Sequence, residues 1–493
     1  MGLSSATSVA QSSLAAIAAE SAAISRNIAG ANVTGTFSEK TATVVTTSGG
    51  GVEANTVTGA QNPTLFTGVL NATASSATQN AISNGLSTLE ETVGDTNSDT
   101  SPAAKLSDFM DALQSYESTP SDDSLASAAV TAASQLATTL NSATQTVQQV
   151  REQADANMAS SVSTINSLLT QFQSVNAQIV TGSATGADIS DLQDTRDTIL
   201  TQLSQQIGIS TTTGPNNDMS IYTDSGVTLF QGGSAQTVTF QPTSAFAAGT
   251  VGNAVVVDGI PITGSASTMP IQSGTLAGYA SLRDDTAVTY QNQLDQMANG
   301  LINATAETLP SGGTAPGLFS YQGADATGTP PEMPTSATGL AGEIQINPAV
   351  DPNQGGNPQL VRDGINTTFN TTGDASFSTQ LQNLMTSLNA TQTFDSSSEI
   401  GTSGSLSDFA SASVSWLEAA RQNNSNESSF QSTLLTSTTS ALSGATGVSL
   451  DNEMSKMLDL ENSYSSSAQL MSTLNNMFSS LISAVTTITG NAG

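Results

Sequence analysis

The side chains that most often do chemistry in proteins are missing here, for the sequence has no histidine and no cysteine. Thiol nucleophiles, disulfides and Cys/His zinc sites are thereby excluded, as are the Ser-His-Asp triad and the imidazole base. Carboxylates remain. Glu90-Glu91, Asp122-Asp123 and Asp284-Asp285 are paired acids, but each pair is adjacent in sequence or set in a polar pattern and reads as a solvated face. Asp351-Pro352-Asn353-Gln354-Gly355-Gly356 has the outline of a calcium loop without its bidentate Glu, and reads as a plain turn. Gly49-Gly50-Gly51 precedes no Lys-Ser/Thr and reads as a loop. Trp416, near Val414, Leu417 and Ala420, reads as core. The expectation is a non-enzyme with no catalytic, cofactor-binding or metal-ligating residues and no cofactor.

The elements that would position any site are long helices. At 493 residues, two to four domains can each bury a core, and with 37% apolar but only 4% aromatic residues those cores must be aliphatic. A net charge of −31 with no Lys/Arg cluster argues against nucleic acid and anionic membranes as partners. Like charge also resists premature self-association, or merely confers solubility. Absence of cysteine is compatible with export as an unfolded chain. No positively charged leader precedes an apolar run, Ala6 stands where a myristoylation motif wants Ser or Thr, and no stretch of 18 apolar residues occurs. Membrane insertion is not expected. The chain is expected to be cytoplasmic or to leave without a cleaved signal.

Both ends carry heptad stripes. From Ser4 to Ala31, Thr7, Ala10, Leu14, Ile17, Ser21, Ile24 and Ile28 share a face, and Asn32-Val33-Thr34-Gly35 ends the helix. At the other end Leu450, Met454, Met457, Tyr464, Ala468, Met471, Phe478, Ile482 and Val485 form a seam, interrupted by Glu461 and Asn475. Leu460, Leu470, Leu474, Leu481 and Ile488 widen it, and Asp451 is the expected N-cap. So much Ser, Thr and Asn lowers helix propensity, so neither helix is stable alone. The two pair with each other, or with neighbouring copies. The expected assembly interface is Leu14, Ile17, Ile24, Ile28, Leu450, Met454, Met457, Tyr464, Met471, Leu474, Phe478, Leu481, Ile482 and Val485.

Between the ends, helices are expected over 74–93, 103–117, 124–180 and 188–207. Residues 209–275 alternate short β-branched runs with turns, Asp258-Gly259 being a hairpin candidate. Helix returns at 276–308, a Gly/Pro-rich loop covers 310–340, a few strands are expected over 341–372, and helix resumes from 376. The fold class is mainly α with inserted β. The expected segments are 1–35, a terminal helix; 36–208, helical; 209–275, β-rich; 276–330, helix and loop; 331–375, a small β-rich segment; 376–449, helical; and 450–493, the second terminal helix.

Several stretches resemble the flagellar rod, hook and hook-associated axial proteins. Ser25-Arg26-Asn27-Ile28-Ala29-Gly30-Ala31-Asn32-Val33-Thr34-Gly35 is similar to the NNIANANTPGY-like segment that ends their N-terminal helix. It departs at Arg26, Gly30 and Val33, and Thr36-Phe37 replaces the usual tyrosine. Asp191-Leu192-Gln193-Asp194-Thr195-Arg196-Asp197-Thr198-Ile199-Leu200, continuing to Ile209, resembles the DLLDQRDALLDQLS segment of hook-associated members. So do Leu276-Ala277-Gly278, Leu282-Arg283-Asp284, Tyr290 to Ala298, and Gly317-Leu318-Phe319. Gly447-Val448-Ser449-Leu450-Asp451-Asn452-Glu453-Met454, with Leu460, Tyr464 and Ala468, is similar to the shared axial-protein ending. Read without the family, 191–203 is an amphipathic helix with acids near its positive end.

The resemblance implies a structural subunit of the extracellular flagellum, forming a ring between hook and filament and exported by the flagellar type III apparatus. It implies terminal helices in an inner tube (D0), long helices in the next layer (D1), and as partners other copies, hook protein, and the adjoining hook-associated protein or filament. It also implies an export chaperone over about Leu450 to Ile488. A flagellin-like or hook-like filament subunit stays open, as does a secreted adhesin or glycan-binding protein using the β-rich middle.

Overall fold

Proline-free, glycine-poor stretches bounded by capping residues make this chain mostly helical. The protein is seen in a computed structural model that describes residues 2–32, 37–48, 50–93, 100–324 and 331–490. Helix α1 spans Leu3–Gly30. Asn32 lies in a turn after it, whereas Val33-Thr34-Gly35, like Gly49, falls outside the described residues, as does the Ile488 side chain. A hairpin not expected from the sequence follows, β1 (Lys40–Thr46) against β2 (Val52–Gly59), antiparallel with a bulge after Thr43.

Helix α2 (Pro63–Glu90) starts well before the expected residue 74. Asn62 accepts from Leu65 N at 3.1 Å and Pro63 occupies the first turn, where its missing N–H costs nothing. Helix α3 (Pro102–Ser118) begins the same way, with Ser101 accepting from Ala104 N at 3.0 Å. Helix α4 (Asp123–Thr185) is capped by Asp122 and stopped by left-handed Gly186, and its 63 residues span about 95 Å. Helix α5 covers Ser190–Gln206.

The β-rich insertion is as expected. Strands β3 (Ile209–Thr213), β4 (Met219–Thr223), β5 (Thr228–Gln231) and β6 (Ser234–Ala235) form one antiparallel sheet. Strands β7 (Val238–Thr239), β8 (Val256–Val257) and β9 (Ile260–Pro261) form a second. Asp258 and Gly259 both have positive φ, 48° and 78°, as a type I′ hairpin requires. Helix α6 (Thr275–Ser281) passes through a π-turn, Leu282–Thr286, into α7 (Ala287–Ala304). The expected helix to 308 stops short, because Glu307–Thr308 (β10) pairs with Thr314–Ala315 (β11).

Phe319–Tyr321 (β12) pairs with Ile344–Ile346 (β13), the one strand within 331–375 among the described residues. Over 341–372, where more strands were expected, the rest is turns and short helices, α8 (Leu340–Glu343) before β13 and α9 (Leu360–Asp363) after it. Pro348, Pro352 and Pro358 remove ladder donors there. Helix α10 (Thr379–Asn389), a short β14–β15 pair (Gln392–Thr393, Ser403–Gly404), α11 (Leu406–Thr446) and α12 (Leu450–Gly490) complete the chain. Asp451 lies inside the first turn of α12 rather than capping it.

Two cores share α4. Its first half joins α3, α7, α10 and α11 around Phe109, Leu140, Leu294, Leu301 and Phe409, and Trp416 packs at the edge of this cluster. Its second half joins α5, α6 and both sheets around Ile165, Phe172, Leu203, Ile221 and Phe230. Phe109 meets Phe319 edge-on at 5.3 Å, and Phe172 meets Phe230 at 4.9 Å. Between the cores, Arg283 of the π-turn pairs with buried Asp155 of α4 at 2.5 Å.

Candidate assembly surface

Of the paired acids, Glu90, Asp122, Asp123 and Asp284 are engaged by other groups of the chain. Glu90 reaches Arg421 at 3.2 Å, Asp284 pairs with Arg283 at 2.8 Å, and Asp123 accepts from Gln359. Asp122 caps α4, and the hydrogen bond from the Ser124 hydroxyl holds its carboxyl below the usual range. Asp351 does the same for its turn, accepting from Gln354 and from Asn353 N, each at 2.9 Å. Among the described residues no cluster of three or more carboxylates is placed to hold a metal ion.

The terminal unit is built differently. Helix α1 lies between the β1–β2 hairpin and α12, which runs antiparallel to it. Asn27, fully buried, bonds Lys40 N at 2.7 Å and Lys40 O at 2.9 Å through its amide, and also donates to Glu453 at 2.8 Å. Lys456 closes the corner, 2.6 Å from both Glu39 and Glu453, and those bonds raise its pKa.

Ion pairs fasten this unit to α5. Lys40, its side chain inaccessible to solvent, reaches Asp194 at 2.5 Å and the Ser190 carbonyl at 3.0 Å. Burial pushes the Asp194 carboxyl up, against the hydrogen bonds from Lys40 and Ser38. Arg26 spans Asp188 at 2.8 Å and Asp191 at 3.3 Å. Cutting one member of the Lys40–Asp194 pair leaves a charge in low dielectric, at about 3–5 kcal/mol. Sequence reasoning found the helices but not this joint, whose partners stand some 150 residues apart; the only signal was two lone cations beside a run of aspartates.

The contact between α1 and α12 follows one heptad line. Glu453, Leu460, Ser467 and Leu474, with Ala468 and Met471 beside them, are the covered positions of α12. Ser13 and Ser467 approach to 3.4 Å. On α1 the covered residues are small, Ala10, Ala16 and Ala23, together with Ile24, while Leu14, Ile17 and Ile28 are half-buried. Of the expected interface, then, Ile24 and Leu474 are buried within the chain and Met471 is half-buried.

The rest faces outward. Leu450, Met454, Met457, Tyr464, Phe478, Leu481, Ile482 and Val485 are exposed, with Met454 61% and Ile482 60% accessible. Leu458, Leu470 and Met477 join them, and two of these, Leu458 and Met477, were not singled out from the sequence. The register set by Ser13–Ser467 and Asn27–Glu453 puts Leu3 beside about Met477. Residues 478–490, about 20 Å of helix, therefore project past α1. No helix among the described residues is long and apolar enough to cross a membrane, so these side chains are not part of a spanning segment. Scattered apolar residues on a surface are ordinary, whereas these recur along a single helix.

Parts of the chain are similar to known proteins. The family model described as "Flagellar hook-associated protein FlgK helical domain" matches residues 86–343. "Flagellar basal body rod FlgEFG protein C-terminal" matches 443–484, the region of α12. Flagellar hook-associated protein 1 of Escherichia coli (strain K12) is 26% identical over 211 residues, 41% of this chain and 37% of that protein. Its namesake in Salmonella typhimurium is 26% identical over 204 residues, 41% of this chain and 36% of that protein. The matches thus span little more than a third of those relatives' length. A solved structure, the flagellar hook junction protein FlgK from Burkholderia pseudomallei, aligns with a TM-score of 0.42 at 22% identity, covering 52% of this chain and 47% of that one.

Proposed function

The chain belongs to the flagellar hook-associated protein FlgK family, and we propose on that premise that it is a structural subunit joining hook to filament, assembled by its terminal helices. The observation that carries this reading is the outward apolar row of α12, from Leu450 to Val485, whose side chains are left exposed among the described residues. An isolated helix of this Ser- and Thr-rich composition is marginal in water, and covering its open face is what stabilises it. Neighbouring copies present the same face at the same height, so a ring closes by repetition of one contact.

In this reading 1–35 and 450–493 form the inner layer, with Leu14, Ile17, Ile28, Leu450, Met454, Met457, Tyr464, Phe478, Leu481, Ile482 and Val485 between copies. Ile24, Met471 and Leu474 hold the in-chain pair on which that layer is built. The helical segments 36–208, 276–330 and 376–449 form the next layer, and 209–275 and 331–375 are the β-rich segments packed on it. Partners are further copies, hook protein below and the adjoining hook-associated protein or filament above. Before export through the flagellar type III apparatus, a chaperone covers 450–488, since a bare apolar row of this length would otherwise aggregate. The role is structural and extracellular.

Electron microscopy of the concentrated protein tests the assembly. Thin rings or short stacks support a junction subunit, whereas long filaments point to a flagellin-like or hook-like subunit. In cells, deletion of residues 450–493 should release filaments while hooks persist. Retention of filaments would refute the proposal.

A further inference from the structure

Where the terminal unit meets α5, the sheet of β3 and β4 and the ends of α2 and α11, the fold leaves a cavity of about 350 Å³. Phe37, Phe66, Met219 and Leu442 give it apolar walls, and Arg196 and Asp197 of α5 give it two charged groups. Arg196 is only 4% exposed. Its Nη1 donates to the Asn217 carbonyl at 2.7 Å, and Nε has no hydrogen-bond partner.

The other buried arginines are satisfied. Arg283 engages Asp155 and Asp284, Arg362 engages Asp363, and Arg151 donates to the carbonyls of Arg283, Ala247 and Thr250. Arg196 makes no ion pair among the described residues. Asp197 and Asp218 act on it only at longer range, and Asp218 is taken up by Asn176 at 2.6 Å. Burying a guanidinium with its Nε–H unpartnered is costly, and a bidentate carboxylate is the group that fits its fork.

We propose that this cavity binds a carboxylate attached to an apolar body, with Arg196 as the anion receptor. A doubly charged phosphate or sulfate is disfavoured, because its second charge would be repelled by Asp218, which lies within electrostatic range of Arg196. A monoanion avoids most of that repulsion. Asp197, whose carboxyl burial pushes up to about 7, is in good part protonated near neutrality and then donates to the incoming carboxylate. Facing Asp197 with charge are Arg196 and Asp194 on its own helix and Lys40 of β1. The carboxylate has two sources, a free small acid or an acidic residue presented by a neighbouring subunit. This inference does not depend on the flagellar reading.

Phenylacetate is a suitable probe, titrated into the full chain while the Met219 methyl resonance is followed by NMR. Saturable movement of that signal is expected, with affinity at least tenfold weaker in Arg196→Gln. Because that variant could unfold, the wild-type pH profile is a second reading. Binding weakens severalfold from pH 6 to 8 as Asp197 ionises, and Asp197→Asn abolishes the decline. If phenylacetate slows self-assembly, the native carboxylate comes from a neighbour; if assembly is unchanged while binding persists, it is a free acid, and either supports the site. No saturable shift at Met219, or equal affinity in a folded Arg196→Gln, overturns it.

Discussion

Replacing Leu481, Ile482 and Val485 together with Ser removes three apolar side chains from the overhanging end of α12. They are 57%, 60% and 53% exposed, so each has roughly half its surface still open to water. Fully burying such a side chain is worth about 1.5–3 kcal/mol, and covering the open half is therefore worth about 1 kcal/mol each. The triple variant should weaken subunit association by about 3 kcal/mol, on the order of a hundredfold. The monomer should barely notice, because these three side chains are already more than half exposed and lie beyond the end of α1. Sedimentation velocity across a concentration series measures the first quantity and thermal unfolding of dilute protein the second. Unchanged association, or a dilute monomer whose Tm drops by many degrees, would refute the reasoning.

At the joint, Lys40→Met strands Asp194 without its cation, and should free α1 and the hairpin at about 3 kcal/mol while leaving the β-insertion intact; limited proteolysis will show cleavage near 37–60 first. Burial raises the Asp295 carboxyl to about 6 despite its bonds from Gly339 N, Ala341 N and Gln291. The folded state therefore holds this proton more tightly than the unfolded one. Stability contributed there is present below about pH 4 and lost as pH rises toward 6, by about 3 kcal/mol. Asp295→Asn should flatten that slope in denaturant titrations. Gly274 has φ 95°, and a Cβ there would come within 2.5 Å of the Ile207 Cα. Gly274→Ala should accordingly cost about 2 kcal/mol or more in urea unfolding, since both strain and clash oppose it.

The long helices were legible because their stripes, caps and stops are local. Asp122 before α4 and Asp258-Gly259 between β8 and β9 state their geometry within a few residues. The β1–β2 hairpin was missed although Thr43, Val44 and Val45 are β-branched, because it lies between two strong helical signals and its connecting sequence has no Asn-Gly or Asp-Gly turn. The start of α2 was missed because Ala, Ser and Thr over 71–78 blur its apolar face, even though Asn62-Pro63 is a clear cap. Of the candidate surface, periodicity identified the apolar row of α12 but could not divide it. Which positions α1 covers depends on the antiparallel register, and that is set by Asn27, Glu453, Lys40 and Asp194, far apart in sequence.

Amide hydrogen exchange over 450–490, compared between dilute monomer and assembled protein, bears most directly on whether neighbouring copies complete the terminal helices. The account predicts rapid exchange in the monomer, fastest over 478–490, and strong protection on assembly. Equal protection in both states would contradict it.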